Sequence, residues 1–348
     1  PEGNTPVLQR NGVSRWAGVD ALLMKHEGHN PTGSFKDRGM TVAVTQARRI
    51  GARAVACAST GNTSASLAAY AAHAGLPALV IVPKGQVAMG KLAQTLAYGA
   101  RTLLVDGDFD TSLALLRAAG DTLGVYVVNS VNAFRIEGQK SIAFELLHQL
   151  AWEAPDWIVL PAGNLGNTAA LGKALVEAKR LRLIDRLPRI AAVQAEGAAP
   201  FARSFATGFR TREPVRAETV ATAIRIGDPA SWNRGVRAIR DTKGVVVAVT
   251  DAEILEAKSV VDASGVGCEP GSAAAVAGVR ALVRSGTIAA GDRVVAILTG
   301  NILKDPGILI ANHADSEAAG RRGANPPREI PATLAALEAE LSRLGRDN

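Results

Sequence analysis

In the run Asn30-Pro31-Thr32-Gly33-Ser34-Phe35-Lys36-Asp37-Arg38-Gly39, one lysine stands directly behind an aromatic residue, at the entrance to a helix. Pro31, Gly33 and Ser34 form a turn, the apolar spacing from Asp37 to Ile50 is helical, and Gly51 supplies a stop. Neighbouring apolar surface disfavours the charged form of a lysine and lowers its pKa. Such an amine is a nucleophile toward an aldehyde. Lys36 therefore reads as a Schiff-base lysine. The plain alternative is a solvated lysine in a first helical turn, the usual fate of a lone lysine.

Four polar loops accompany it, each after an apolar run. Ser59-Thr60-Gly61-Asn62-Thr63-Ser64 leads straight into a helix, so hydroxyls and backbone N–H groups face outward together and suit a carboxylate. An ordinary N-cap explains one or two of these residues, not six. Gly163-Asn164-Leu165-Gly166-Asn167-Thr168 lets backbone approach a phosphate at a helix N-terminus. It is neither GxGxxG nor the Walker pattern, so nicotinamide and ATP readings lose their main support. Taken alone it is also compatible with an ordinary glycine-rich connection. Asn129-Ser130-Val131-Asn132-Ala133-Phe134-Arg135 offers neutral donors and one planar charged fork, fitting a phosphate or a carboxylate. The alternative pairs Arg135 with an acid such as Glu137. Thr299-Gly300-Asn301 closes the last apolar run, and Cys268-Glu269-Pro270-Gly271-Ser272 adds a turn into a helix. The five histidines show no metal spacing, and there is no GxSxG. A lysine nucleophile with a phosphate cradle points to pyridoxal phosphate.

These loops need a frame in which strand ends converge. Apolar runs at Ala54–Ala58, Ala78–Val82, Arg101–Val105, Val125–Asn129, Trp157–Leu160, Ile190–Gln194, Val245–Val249 and Arg293–Leu298 read as strands. Helical spacing alternates with them at Ala65–Ala74, Val87–Tyr98, Ser112–Leu123, Gln139–Leu150, Thr168–Arg180 and Ser272–Arg284, and Thr250 with Glu253 forms a capping box. The alternation predicts parallel sheets with helical crossovers, and in such sheets ligands bind outside the carboxyl ends of strands. His313–Pro327 reads as a linker, and Thr333–Leu344 as an amphipathic helix that should dock on something.

The 348 residues suit two domains or one large α/β unit, and an apolar share of 47% supplies a core. Cys57 and Cys268 lie far apart and in no CxxC pattern, which excludes a disulfide framework and favours a reducing, cytoplasmic compartment. No apolar run is long enough to span a bilayer. A net charge of +7 is scattered rather than striped, whereas nucleic-acid binding leaves a clustered footprint; an anionic small substrate explains the charge as well, and an ordinary solvated surface is the commonest explanation. The chain starts at Pro1, so a start methionine and some upstream residues are expected to be missing.

Together these segments resemble the threonine synthase family, within the tryptophan-synthase-β-like (fold type II) pyridoxal-phosphate enzymes. The resemblance runs from Glu2-Gly3-Asn4-Thr5-Pro6 to Asp305-Pro306. Ser59–Ser64, the run from Asn129 through Arg135-Ile136-Glu137-Gly138-Gln139-Lys140, and Ala223-Ile224-Arg225-Ile226-Gly227 point most narrowly to it. The resemblance implies Lys36 as the Schiff-base lysine beside Phe35, with Asn62 on the cofactor's ring oxygen. Gly163, Asn164, Leu165, Gly166 and Asn167 would hold its phosphate, and Thr299 its pyridine nitrogen. A neutral hydroxyl there cannot keep that nitrogen protonated, which shifts more of the work to proton movements by Lys36. Ser59, Thr60 and Thr63 would hold the substrate carboxylate; Asn129, Ser130 and Arg135 would take the substrate phosphate. The implied reaction turns O-phospho-L-homoserine and water into L-threonine and phosphate. Alternatives are a dehydratase or phospho-lyase yielding a 2-oxo acid, or a non-catalytic cofactor-binding paralogue. A homodimer follows from the resemblance, with a small-molecule substrate and no metal, nucleic-acid or membrane partner. The family usually has glycine where this chain has Ile302, so the loop after Asn301 is expected to be reshaped. The expected architecture is two α/β domains with open twisted sheets flanked by helices and the cofactor between them. Residues 28–130 form the small mobile domain, 1–27 with 131–312 the large one, and 313–348 a linker and helix.

Overall fold

The computed structural model describes residues 1–84, 89–107, 109–130, 132–314 and 324–344. The strands among them are β1 (Val7–Gln9), β2 (Leu22–His26), β3 (Ala54–Ala58), β4 (Ala78–Pro83), β5 (Arg101–Val105), β6 (Val125–Val127), β7 (Trp157–Pro161), β8 (Arg189–Ala195), β9 (Val245–Val249) and β10 (Val294–Leu298). One sheet has the order β5-β4-β3-β6 and is parallel throughout. The other has the order β1-β2-β10-β7-β8-β9, and only the β1–β2 pair is antiparallel. Central strands β3, β7 and β10 are buried at every position, which is why their sequences are unbroken apolar runs. The fold class is thus α/β with two open sheets flanked by helices.

Strand ends lie within two residues of the boundaries read from the apolar runs. Helices begin earlier than their apolar spacing indicates, at Lys36, Asn62, Gly166 and Pro270. Their first turns are polar or small and carry no periodic signal. The single helix expected over Gln139–Leu150 is two, Ala133–Gln139 and Ser141–Gln149. The helix expected at Val87–Tyr98 is described as Met89–Ala97; residues 87 and 88 lie outside the described residues. Of the expected linker at His313–Pro327, residues 315–323 also lie outside them, and His313 belongs to the helix Pro306–Ala314. The final helix, Leu334–Leu344, is present but leaves Leu334, Leu337 and Leu341 at 81%, 50% and 60% exposure. The expected docking is therefore not made within the described chain.

Two packing features fix the helix Lys36–Arg49. Arg38, 2% exposed, donates to both oxygens of fully buried Glu27 at 2.6 and 2.8 Å and to Glu145 at 2.8 and 3.0 Å. Lys25 of β2 donates to the same Glu145 and to the Thr5 carbonyl. The helix start is thereby bolted to β2, to the helix Ser141–Gln149 and to the N-terminal segment. Further along, Gly39 and Gly138 let this helix and Ala133–Gln139 meet backbone to backbone. A Cβ on Gly138 would collide with the Arg38 carbonyl, and one on Gly39 would sit 2.8 Å from the Arg135 carbonyl. That approach brings Arg135 close to Lys36.

Candidate active site

The loops that follow β3, β6, β7 and β10 converge on one cavity of about 510 Å³, with Lys36 in its wall. It draws residues from both sheets.

Lys36 opens its helix behind Phe35, and its Nζ lies 4.2 Å from the Phe35 ring centroid. The turn before it is set by Asp37, which accepts from Thr32 N at 2.7 Å and Thr32 Oγ1 at 2.6 Å. Burial pushes the Lys36 amine down to about 7, helped by the Arg135 charge and opposed by Glu269. At neutral pH a substantial fraction of this amine is therefore a free base.

After β3, Ser59, Thr60, Asn62 and Thr63 line the cavity at the N-terminus of the helix Asn62–Ala74. After β6, the Asn129 side chain clamps the ends of the two strands, accepting from Ala58 N and donating to Ala58 O, both at 3.1 Å. Ser130 lies beside it, and residue 131 is outside the described residues. Arg135 is 2% exposed; one Nη donates to the Val128 carbonyl at 3.0 Å, while its buried Nε has no protein partner. Burial lowers it to about 10, still a cation at neutral pH. Glu137 pairs with Lys140 and Lys173, so the alternative pairing of Arg135 with Glu137 is not formed.

After β7, Gly163, Asn164, Leu165, Gly166 and Asn167 turn into the helix Gly166–Arg180. Leu165 takes φ +61°, a costly backbone for a non-glycine residue, and its buried side chain packs on Gly235. The strain points the helix N-terminus at the cavity. There, both amide atoms of buried Asn167, the Thr168 hydroxyl and the Ser231 hydroxyl have no protein partner. Four orphaned polar atoms beside free helical N–H groups fit the phosphate of pyridoxal phosphate. After β10, Thr299 exchanges a 3.0 Å hydrogen bond with Ser272. Asn301 does not line the cavity: its N–H donates to the Gly33 carbonyl at 2.8 Å and its side chain caps Leu303 N at 3.0 Å. Ile302 begins a short 3-10 turn without a positive φ, so the β-branched residue sits there unstrained.

The cavity thus gathers Lys36 and all the binding residues read from the loops. Sequence reasoning missed Ser231, Glu269 and Lys304. Glu269 and Lys304 line the cavity, and Ser231 lies just behind Gly166. Ala223, Ile224, Arg225 and Ile226, prominent in the sequence but given no role there, form part of its wall.

A family model described as pyridoxal-phosphate dependent enzyme matches residues 1–300. The threonine synthase of Methanosarcina acetivorans is 49% identical over 311 residues, covering 89% of this chain and 77% of that protein. The threonine synthase of Mycobacterium tuberculosis is 50% identical over 308 residues, covering 88% and 83%. Among solved structures, maize serine racemase superposes with a TM-score of 0.76 at 22% identity, covering 89% of this chain and 91% of that one. Threonine deaminase isoform 2 of Solanum lycopersicum gives 0.74 at 22%, covering 91% and 88%. These two structures share the fold.

Proposed function

The chain belongs to the pyridoxal-phosphate-dependent enzymes and, among them, to the threonine synthases, and from that premise we propose that it converts O-phospho-L-homoserine and water into L-threonine and phosphate. Lys36 would carry the cofactor beside Phe35, with Asn62 and Thr299 placed to hold its ring. Gly163, Asn164, Leu165, Gly166 and Asn167 hold its phosphate, joined by Thr168 and Ser231. Bound there, pyridoxal phosphate supplies the electron sink that acidifies the substrate's α-carbon. Ser59, Thr60 and Thr63 orient the substrate carboxylate. Lys36, with an amine near 7, takes a proton from Cα and then from Cβ and returns both, one to Cγ, which becomes the methyl group, and one to Cα, while the proton that water loses on adding to Cβ goes to the departed phosphate. Asn129, Ser130 and Arg135 receive the phosphate that leaves Cγ, and water reaches Cβ after that departure.

The observation that carries the substrate assignment is Arg135. It is a buried cation with an unpartnered Nε in the cavity wall, carried by the helix Ala133–Gln139 and separate from the cofactor-phosphate cradle at Gly163–Asn167. A substrate with a carboxylate alone leaves that charge unused, whereas a phosphorylated one matches it. The test gives cofactor-loaded protein O-phospho-L-homoserine and quantifies threonine, 2-oxobutyrate and phosphate. Threonine and phosphate in equal amounts support the proposal. Phosphate with 2-oxobutyrate assigns a lyase instead, and no phosphate release rejects the substrate.

The same reading places the protein in the cytoplasm as a homodimer. Both thiols, Cys57 and Cys268, are buried and free, in keeping with a reducing compartment. Among the described residues no helix is long and apolar enough to cross a membrane. Sedimentation of the purified protein tests the dimer.

A further inference from the structure

Glu269 bears a carboxylate that the proposed reaction does not use. It is 4% exposed and caps the start of the helix Pro270–Arg284. Its N–H donates to the Gly300 carbonyl at 3.1 Å, and a Cβ on Gly300 would collide with its carboxyl group. Glycine is what lets the acid lie against the end of β10. Oε2 accepts from Asn62 Nδ2 at 3.0 Å, and Oε1 faces Thr299 Oγ1 at 3.4 Å. One acid therefore touches polar groups carried by both sheets, and those two groups are the proposed partners of the cofactor ring.

Ser272 Oγ accepts from Gly300 N–H at 2.9 Å and shares a 3.0 Å hydrogen bond with Thr299 Oγ1 in which either hydroxyl can donate. Thr299 has a single proton, so when it is given to Glu269 it is not given to a ring nitrogen in the cavity. An ionised carboxylate only accepts, so Glu269 holds the NH2 end of Asn62 toward itself. The second N–H of that amide is left to serve an oxygen in the cavity. The charged groups facing Glu269 are Lys36, at the start of its helix, and Lys304, from the turn after β10, with Asp37 next to Lys304. Burial raises the Glu269 pKa, while Asn62, the two ammonium groups and Thr299 draw it back.

We infer that Glu269, as a carboxylate, is a positioning residue: it holds Asn62 as a donor toward the cofactor ring and balances the positive charge at Lys36. This rests on the pyridoxal-phosphate reading of the cavity. A neighbouring anion favours a protonated nitrogen at Lys36, so its neutralisation has a spectroscopic consequence.

Wild type, Glu269→Gln and Glu269→Asp are loaded with pyridoxal phosphate, and the absorbance of the bound cofactor is titrated with pH. Glu269→Gln should lower the titration midpoint by about one unit, an amount set by one lost charge interaction, and lower kcat with little change in KM. Glu269→Asp, which keeps the charge, should recover part of both. A Glu269→Gln midpoint and kcat coincident with wild type overturn the inference. If Glu269→Gln does not retain the cofactor, Gly300→Ala carries the test. Its added Cβ would push the Glu269 carboxyl group aside, and should move the midpoint the same way. An unmoved midpoint there overturns the inference equally. A wild-type protein that shows no bound-cofactor band overturns the cofactor reading itself and the inference with it.

Discussion

Lys36 holds its proton near pH 7 in the folded protein against an ordinary value of 10.5. Between those values the unfolded chain binds more protons than the folded one. Stability of the cofactor-free protein should therefore rise with pH through that window, by at most about 1.4 kcal/mol per pH unit. Below it both states are protonated and the slope vanishes. Denaturant unfolding of the cofactor-free protein against pH should show this rise in wild type and lose it in Lys36→Met. On the proposed reaction, Arg135 serves the substrate as well as stability. Losing its charged hydrogen bonds should lower kcat/KM for O-phospho-L-homoserine by roughly tenfold to a hundredfold in Arg135→Ala. Arg135→Lys should not restore it, because an ammonium lacks the planar fork. Steady-state kinetics check both, with binding of L-threonine, which has no phosphate, remaining near wild type. Lys36 and the loop residues were legible in the sequence because reactive and polar types cluster after apolar runs. Glu269 was not, since its partners Asn62 and Thr299 are brought to it only by the fold.

At the scale of elements, the helix Lys36–Arg49 depends on charges that water does not reach. Arg38→Met would strand Glu27 as a buried, uncompensated anion, and such losses cost roughly 3–5 kcal/mol. The midpoint of denaturant unfolding should fall accordingly. Gly138→Ala puts a methyl group against the Arg38 carbonyl and must push two helices apart. Overpacking of this kind costs about 1–3 kcal/mol. Since the displaced helix starts with Lys36, activity in the folded fraction should fall as well, which separates this variant from a simple loss of stability. Strands were read well because burial on both faces writes itself as an apolar run, as in Trp157–Pro161. Helix starts were read late because the first turns, with Asn62 and Gly166 in the cavity wall, are polar or small and carry no apolar periodicity. The close contact of Gly39 with Gly138 leaves no trace in either segment alone.

Across the whole molecule, the site belongs to neither sheet. Lys304, from the turn after β10, donates to the Thr32 carbonyl at 3.1 Å and to Gln94 on the helix Met89–Ala97. It stitches the six-stranded sheet to the Lys36 loop and to the four-stranded sheet. Strands β3 to β6 form one sheet; that residues 28–130 make up a separate, mobile domain is a proposal that ligand-dependent proteolysis would test.

Register has a consequence for synthesis. Strand β2 lies between β1 and β10, and Leu22 pairs with Val294. The four-stranded sheet, by contrast, is complete once residue 127 has been made. A nascent chain should therefore fold its four-stranded sheet first, while β2 waits for residues 294–298 to leave the ribosome. Ribosome-stalled chains ending before residue 294 should protect residues 54–127 from protease and leave the N-terminal segment open. Lys36 is translated early, yet the cavity around it is complete only after Thr299 and Lys304 have been made.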